Sequence, residues 1–271
     1  MLIANNKLKN LIRDFIPRQY QVPIKYYYNR VNSNLEPEME ILEYLVRKND
    51  RVIDVGGNRG IYAYKFWKLG TNVEIFEPNI NCSSILSAWA IGKKNVNVHP
   101  VALSNCTGST YLHVPVDESG IEHDASGSVE SDRFISARDH KVNLRELDSY
   151  HFKEVSLIKI DVEGHEYSML EGAKTTLASL HPTLLVEIEQ RHNSRPISEI
   201  FEKILGFEYR GFFMEENKLT ELENFDVARH QSIENFDSSN GRIYINNFLF
   251  LHKGRVIAGE YGTLFDDWVL K

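Results

Sequence analysis

Between residues 36 and 251 the chain alternates short, wholly apolar runs with stretches whose apolar residues recur every three or four positions. A wholly apolar run is buried on both faces, and successive strands of that kind, joined by helices, pair as a parallel sheet covered on both sides. The strand segments are 51–55, 73–76, 96–98, 155–160, 184–188, 207–210 and 244–251; the helical ones are 62–69, 81–91, 165–180 and 197–205. A further helix starts at Pro37, where Met39, Ile41, Leu42, Leu45 and Val46 share a face until Lys48 and Asn49. The pattern predicts an open α/β fold, with the last strand paired at the C-terminal end of the sheet.

Three stretches fall outside this rhythm. Leu8, Leu11, Ile12, Phe15 and Ile16 recur at helical spacing until Pro17, predicting a short amphipathic helix packed on its own domain; a lid, a dimer contact or a membrane-surface helix are the other uses of such a stripe. Tyr26, Tyr27 and Tyr28 are read as a strand. Residues 1–35 are therefore expected to form a helix-and-strand extension to a main domain spanning 36–271. Residues 117–139, rich in Ser, Gly, Asp and Glu, are expected to be a long loop near the site, and 215–239 a second irregular, acidic segment.

Charge narrows the partners. Lys and Arg number 31 against 38 Asp and Glu, a net −7, so the surface as a whole repels phosphate backbones and nucleic acid is not the expected partner. Two cysteines, Cys82 and Cys106, make no disulfide framework and suit a reducing, cytoplasmic compartment. No run approaches the ~20 apolar residues of a membrane span.

The chemistry is concentrated at 52–60, VIDVGGNRG, a strand running through an acid and a Gly-rich turn into a helix. Such a turn binds a nucleoside at the carboxyl end of the first strand. A dinucleotide fingerprint starting at Gly56 needs glycine where Asn58 and Ile61 stand, and one starting at Gly57 fails at Arg59 and Tyr62, which disfavours an NAD-dependent oxidoreductase. There is no GxxxxGK[ST] cradle for ATP. What remains is Asp54, Gly56 and Gly60, a turn that closes on a small ligand beside a carboxylate able to meet a positive charge. S-adenosylmethionine carries that charge. Glu77, at the end of the second strand, stands where an acid accepts both ribose hydroxyls.

Together with FEPN (76–79), VALS (101–104), LRELDSY (144–150), IKIDVEGHEYSMLEGA (158–173) and LLVEIE (184–189), this turn resembles the FkbM family of S-adenosylmethionine-dependent methyltransferases over residues 36–251. The resemblance implies the seven-stranded, mostly parallel class I methyltransferase sheet, and O-methylation of sugars or natural products. It implies further that Asp54, Gly56, Asn58 and Gly60 hold the methionine part, Glu77 with Pro78 the ribose, and Val101 with Ala102 the adenine edge. Arg59 departs from the apolar residue many members carry.

An alcohol acceptor must lose a proton, so a general base is needed. Asp161, Glu163, His165, Glu187, Glu189 and His192 are the candidates. Glu163 and Glu166, at a helix start, are read as caps. Asp161, at the end of an apolar strand, is assigned to the cofactor ammonium or the acceptor; Glu187 ends the neighbouring strand, and His192 follows as an imidazole able to take a hydroxyl proton. Lys159, inside a strand, must find an acid, and an ion pair with Glu187 would occupy that residue structurally. No metal is assigned. Asp161, Glu187 and His192 would make the oxygen-rich Mg²⁺ site of an alternative in which the metal binds two acceptor hydroxyls. The expected activity is methyl transfer from S-adenosylmethionine to a hydroxyl of a sugar, glycan precursor or glycosylated natural product. The alternatives are a non-sugar hydroxyl or carboxylate acceptor, or a module that binds the cofactor without catalysis. The loop 117–139, with Ser126, Gly127 and Ser128 as its middle, is expected to cover the site.

Overall fold

The computed structural model describes residues 15–116, 122, 127–130, 136–236 and 244–269. The apolar runs become strands β1 (Arg51–Val55), β2 (Asn72–Phe76), β3 (Val96–His99), β7 (Leu157–Ile160) and β8 (Thr183–Glu187), all parallel to their neighbours among this set. β9 (Tyr209–Glu215), β10 (Lys218–Glu221) and β11 (Asn247–His252) extend the sheet through antiparallel pairs, giving the order β10-β9-β11-β8-β7-β1-β2-β3. Between β3 and β7 the chain leaves the sheet to build a small second one, β4 (Ala102–Leu103), β6 (Ala137–Arg145) and β5 (Gly108–Pro115).

Side chains alternate faces along a strand, so a strand buried on both sides feeds two cores. Val52, Val73, Ile75, Leu157 and Leu185 pack with helices α1 (Arg18–Val31), α3 (Ile61–Lys68) and α4 (Ile80–Ala90). Short α2 (Leu42–Leu45), α9 (Lys253–Ile257) and the C-terminal α10 (Gly262–Trp268) join the same face. Ile53, Val55, Ile158, Ile160, Leu184 and Val186 face α5 (Glu166–Glu171), α6 (Lys174–Leu180) and α7 (Ser198–Leu205).

Several expectations need correction. Tyr26, Tyr27 and Tyr28 are helical, within α1: Val22 and Tyr26 are buried four residues apart while Tyr27 and Tyr28 face out, a period of four rather than two. The helix expected over 165–180 is two helices, because the chain at Gly172 passes so close to the Ser104 carbonyl that a Cβ would lie 1.9 Å from it. The helix at Pro37 is a 3-10 turn, Pro37–Met39, followed by α2. The main sheet has eight strands rather than seven, and the extra one, β10, falls in the segment read as irregular, together with the short helix α8 (Val227–His230). The last strand, β11, lies between β8 and β9, inside the sheet. Residues 137–139 of the expected loop belong to β6. The proposed helix over 8–16 lies outside the described residues except for Phe15 and Ile16, as do Ser126 and most of 117–135. No helix among the described residues is long and apolar enough to cross a membrane.

Candidate active site

From β1 the chain runs outward through β2 and β3, then returns to β7 on the other side of β1. An open sheet leaves a crevice outside the carboxyl ends of its strands where the order reverses. A cleft of about 590 Å³ opens there, between the ends of β1, β2 and β7 and the small second sheet.

Its floor depends on Gly56. The residue has φ +77°, and a Cβ on it would lie 1.7 Å from the Asp161 carbonyl oxygen, so only glycine lets the ends of β1 and β7 come this close. The Gly56 amide donates to the Phe76 carbonyl at 2.8 Å, and the Asp161 amide to the Val55 carbonyl at 2.9 Å. Glu77 lines the cleft with both carboxyl oxygens braced from behind: the Asn58 amide donates to Oε2 at 2.6 Å and the Asn79 amide to Oε1 at 2.7 Å. Each oxygen keeps accepting capacity, the geometry a vicinal diol asks for. Burial pushes the Glu77 carboxyl up to about 7, against the pull of those amides. Val101, Ala102 and Leu103 form an apolar wall, which Leu112 of β5 and Val129 close from the other side.

Asp54 and Gly60 do not line this cleft. Alternation along β1 turns Asp54 to the face opposite Val55, where it is 2% exposed and its carboxyl receives the Ala63 amide at the start of α3. Its Oδ2 is buried without a hydrogen-bond partner among the described residues, beneath Gly57. Burial pushes its carboxyl up to about 6, and the cation beside it is Lys159, its neighbour in the β1–β7 register. Gly60 packs against Leu86 and Val22 behind the turn.

Past Asp161 the cleft edge is acidic. Burial raises the Asp161 carboxyl to about 7, with Lys159 opposing. Lys159, 1% exposed, lies 3.9 Å from Glu187 Oε2, donates to Asn247 Oδ1 at 3.4 Å and sits 5.0 Å over the Tyr62 ring. Burial opposes its charge, yet Asp161, Glu187, Glu36 and Asp54 together outweigh that and raise its pKa. Glu187 thus has the ion pair foreseen for it, and it also accepts from Asn246 Nδ2 at 2.8 Å. Burial and Asp161 push its carboxyl well above the usual range. Glu36, for which the sequence held no signal, accepts the Tyr62 hydroxyl at 2.5 Å and Asn247 Nδ2 at 3.1 Å.

His192 Nδ1 lies 2.9 Å from Glu163 Oε2 and 3.5 Å from Glu189 Oε1; Glu189 is held by Arg191 Nε at 2.6 Å and the Tyr244 hydroxyl at 2.7 Å. Neither acid caps α5: Glu166 accepts the Gly164 amide at 2.8 Å, just ahead of the helix, and Asn193 Nδ2 at 3.1 Å, whereas Glu163 pairs with His192 and borders the cleft. His165 also borders it, fixed between Ser104 Oγ at 2.9 Å and Glu130 Oε1 at 2.7 Å. Gly127 and Val129 contribute to the lining, and the Ser128 hydroxyl donates to the Glu163 carbonyl at 2.8 Å, so this part of the expected cover is a wall of the cleft. A magnesium site does not fit. Asp161 and Glu187 face Lys159 while His192 pairs with Glu163, and among the described residues no three His, Cys, Asp or Glu side chains are grouped to hold a metal ion.

A doubly wound sheet with an acid at the end of β2 and a glycine turn at its switch point is the fold of the class I methyltransferases. Residues 54–214, more than half of the chain, match the Methyltransferase FkbM domain, and the chain belongs to that family. No curated protein sequence matches it. Its structure is similar to that of an FkbM methyltransferase from Methylobacillus flagellatus, at 14% identity and TM-score 0.49, covering 80% of this chain and 47% of that one, about half its length. It is also similar to an rRNA methylase from Streptococcus thermophilus (12% identity, TM-score 0.43, 81% and 97% covered). A third similar structure is M. capricolum TrmK with S-adenosylhomocysteine (9%, 0.40, 81% and 69%).

Proposed function

We propose that this chain methylates a hydroxyl oxygen of a neutral sugar or glycan precursor. The strongest support is the Glu163–His192 pair, 2.9 Å apart, of which Glu163 lines the cleft two residues past Asp161. When bound, S-adenosylmethionine supplies an electrophilic methyl on a positively charged sulfur. Glu77 accepts the ribose hydroxyls beside Pro78; Gly56 and Asn58 leave room for the methionine part; Val101 and Ala102 flank the base. Asp161 faces the ammonium or the acceptor, while Asp54 and Gly60 shape the turn from behind. With Nδ1 on Glu163, His192 has Nε2 to take the acceptor proton, and the carboxylate steadies the imidazolium that results. Glu187, engaged by Lys159 and Asn246, holds the wall and orients the acceptor.

Asp161 and Glu163 line the cleft and can accept hydrogen bonds from hydroxyls, which favours a neutral polyol. Incubation of the protein with labelled S-adenosylmethionine and a panel of neutral sugars, glycosides, sugar phosphates, phenols and carboxylic acids tests this. Methyl ethers on neutral sugars, formed equally with and without EDTA, are the expected products. Label found only on carboxylates or phosphorylated acceptors overturns the acceptor class, and S-adenosylhomocysteine binding with no transfer to any acceptor points to a binding module.

A further inference from the structure

Helix α1 has two apolar faces. At 100° per residue Val22 and Tyr26 point inward and are buried, whereas Tyr20, Ile24, Tyr27, Tyr28 and Val31 form a second stripe on the opposite side, each 43 to 82% exposed. Pro23, Ile24, Tyr27, Tyr28, Val31 and Asn32 border a shallow, open depression along this stripe. Arg18 and Lys25 flank the stripe on one side and Arg30 on the other; α1 contains no acid. Lys68 of α3 adds a cation 5.2 Å from the Tyr27 ring. The first 35 residues carry Lys7, Lys9, Arg13, Arg18, Lys25 and Arg30 against Asp14 alone, +5, leaving −12 for the rest of a chain whose total is −7.

We propose that the outward face of α1 is a membrane-surface anchor that lies in the headgroup layer of an anionic bilayer. An apolar stripe with tyrosines at its edges and cations on both flanks matches such a layer, the stripe entering the acyl boundary and the basic side chains reaching the phosphates. A second copy of the chain would bring like charge to like charge. A nucleic acid would leave Ile24 and Val31 in water. The main domain, at −12, is repelled from the same surface, so contact is confined to this helix.

Sedimentation of the full chain with vesicles tests the assignment. It should pellet with an equal mixture of phosphatidylcholine and phosphatidylglycerol, remain soluble with phosphatidylcholine alone, and come off as salt rises. The pairs Ile24→Ser/Val31→Ser and Lys25→Glu/Arg30→Glu should each lower partitioning by about tenfold or more. Both should bind S-adenosylhomocysteine as the parent does, because these side chains lie outside the cleft. No pelleting, or pelleting that both double variants leave unchanged, overturns the proposal. So does a dimer that light scattering detects without lipid and that the Ile24→Ser/Val31→Ser variant dissolves.

Discussion

At the scale of single residues the cleft turns on Gly56 and Glu77. Gly56→Ala puts a methyl group into the Asp161 carbonyl and a side chain at a positive φ, so β1 and β7 must part; S-adenosylhomocysteine affinity measured by calorimetry should fall by at least about tenfold. Glu77→Ala should cost about 2–4 kcal/mol of that affinity, since two ligand hydroxyls lose their acceptors, and unchanged affinity would withdraw the ribose role. His192→Ala should leave cofactor affinity alone and lower turnover by about 10² to 10⁴; full activity would make the Glu163–His192 pair purely structural. Gly56, Asn58, Glu77, Pro78, Val101, Ala102 and Asp161, all named from the sequence, do line the cleft. Asp54 does not, because a one-residue step along a strand changes the face. Glu36 was invisible: it lies 26 positions from Tyr62 and 211 from Asn247, and only the fold brings the three together.

At the scale of elements, β7 contributes more than packing. Lys159 is the cation shared by β1, β8 and the segment before α2, facing Asp54, Asp161, Glu187 and Glu36, with Tyr62 stacked beneath it and Glu38 and Glu163 nearby. Lys159→Met removes the cation that lowers the Asp161 and Glu187 carboxyls, so the acid limb of the kcat/KM profile should move to higher pH; a profile of unchanged shape would mean that Lys159 only fills space. Leu86, fully buried in α4 beneath Gly57 and Gly60, supports the turn from below. Leu86→Ala should cost about 2–5 kcal/mol of stability, read from denaturant midpoints, and loosen cofactor binding with it. The parallel strands were legible because they are apolar on both faces. The β5–β6 hairpin was not, because its strands bury few side chains and carry polar residues such as His113, Asp139 and His140. Tyr26 to Tyr28 misled for a related reason: aromatic residues favour strands, and packing of Tyr26 and Tyr27 against Tyr64 overrode that preference.

At the scale of the molecule, buried carboxyls give stability a definite pH dependence. Burial raises Glu38, Glu77 and Asp161 to about 7 and Asp54 to about 6, above the ~4 of an unfolded chain. Between those values the folded state holds more protons, so their contribution falls as pH rises from about 4 to 7 and is level above that. Glu38→Gln should therefore raise the Tm of the cofactor-free protein relative to the parent at pH 8 and not at pH 5, and an equal shift at both would assign the change to packing. The placement of β11 has a consequence for synthesis. Among the described strands it is made last, yet there β8 and β9 meet only through it, and Glu36 and Lys159 both bond to its Asn247. At ~5–20 residues per second, a nascent chain holds two unjoined halves of the sheet for several seconds, each with an open edge. Released chains that stop before residue 247 should therefore be cut by a brief protease pulse within β9, and chains that include β11 should resist it; equal cutting of both would mean that β9 is held without β11.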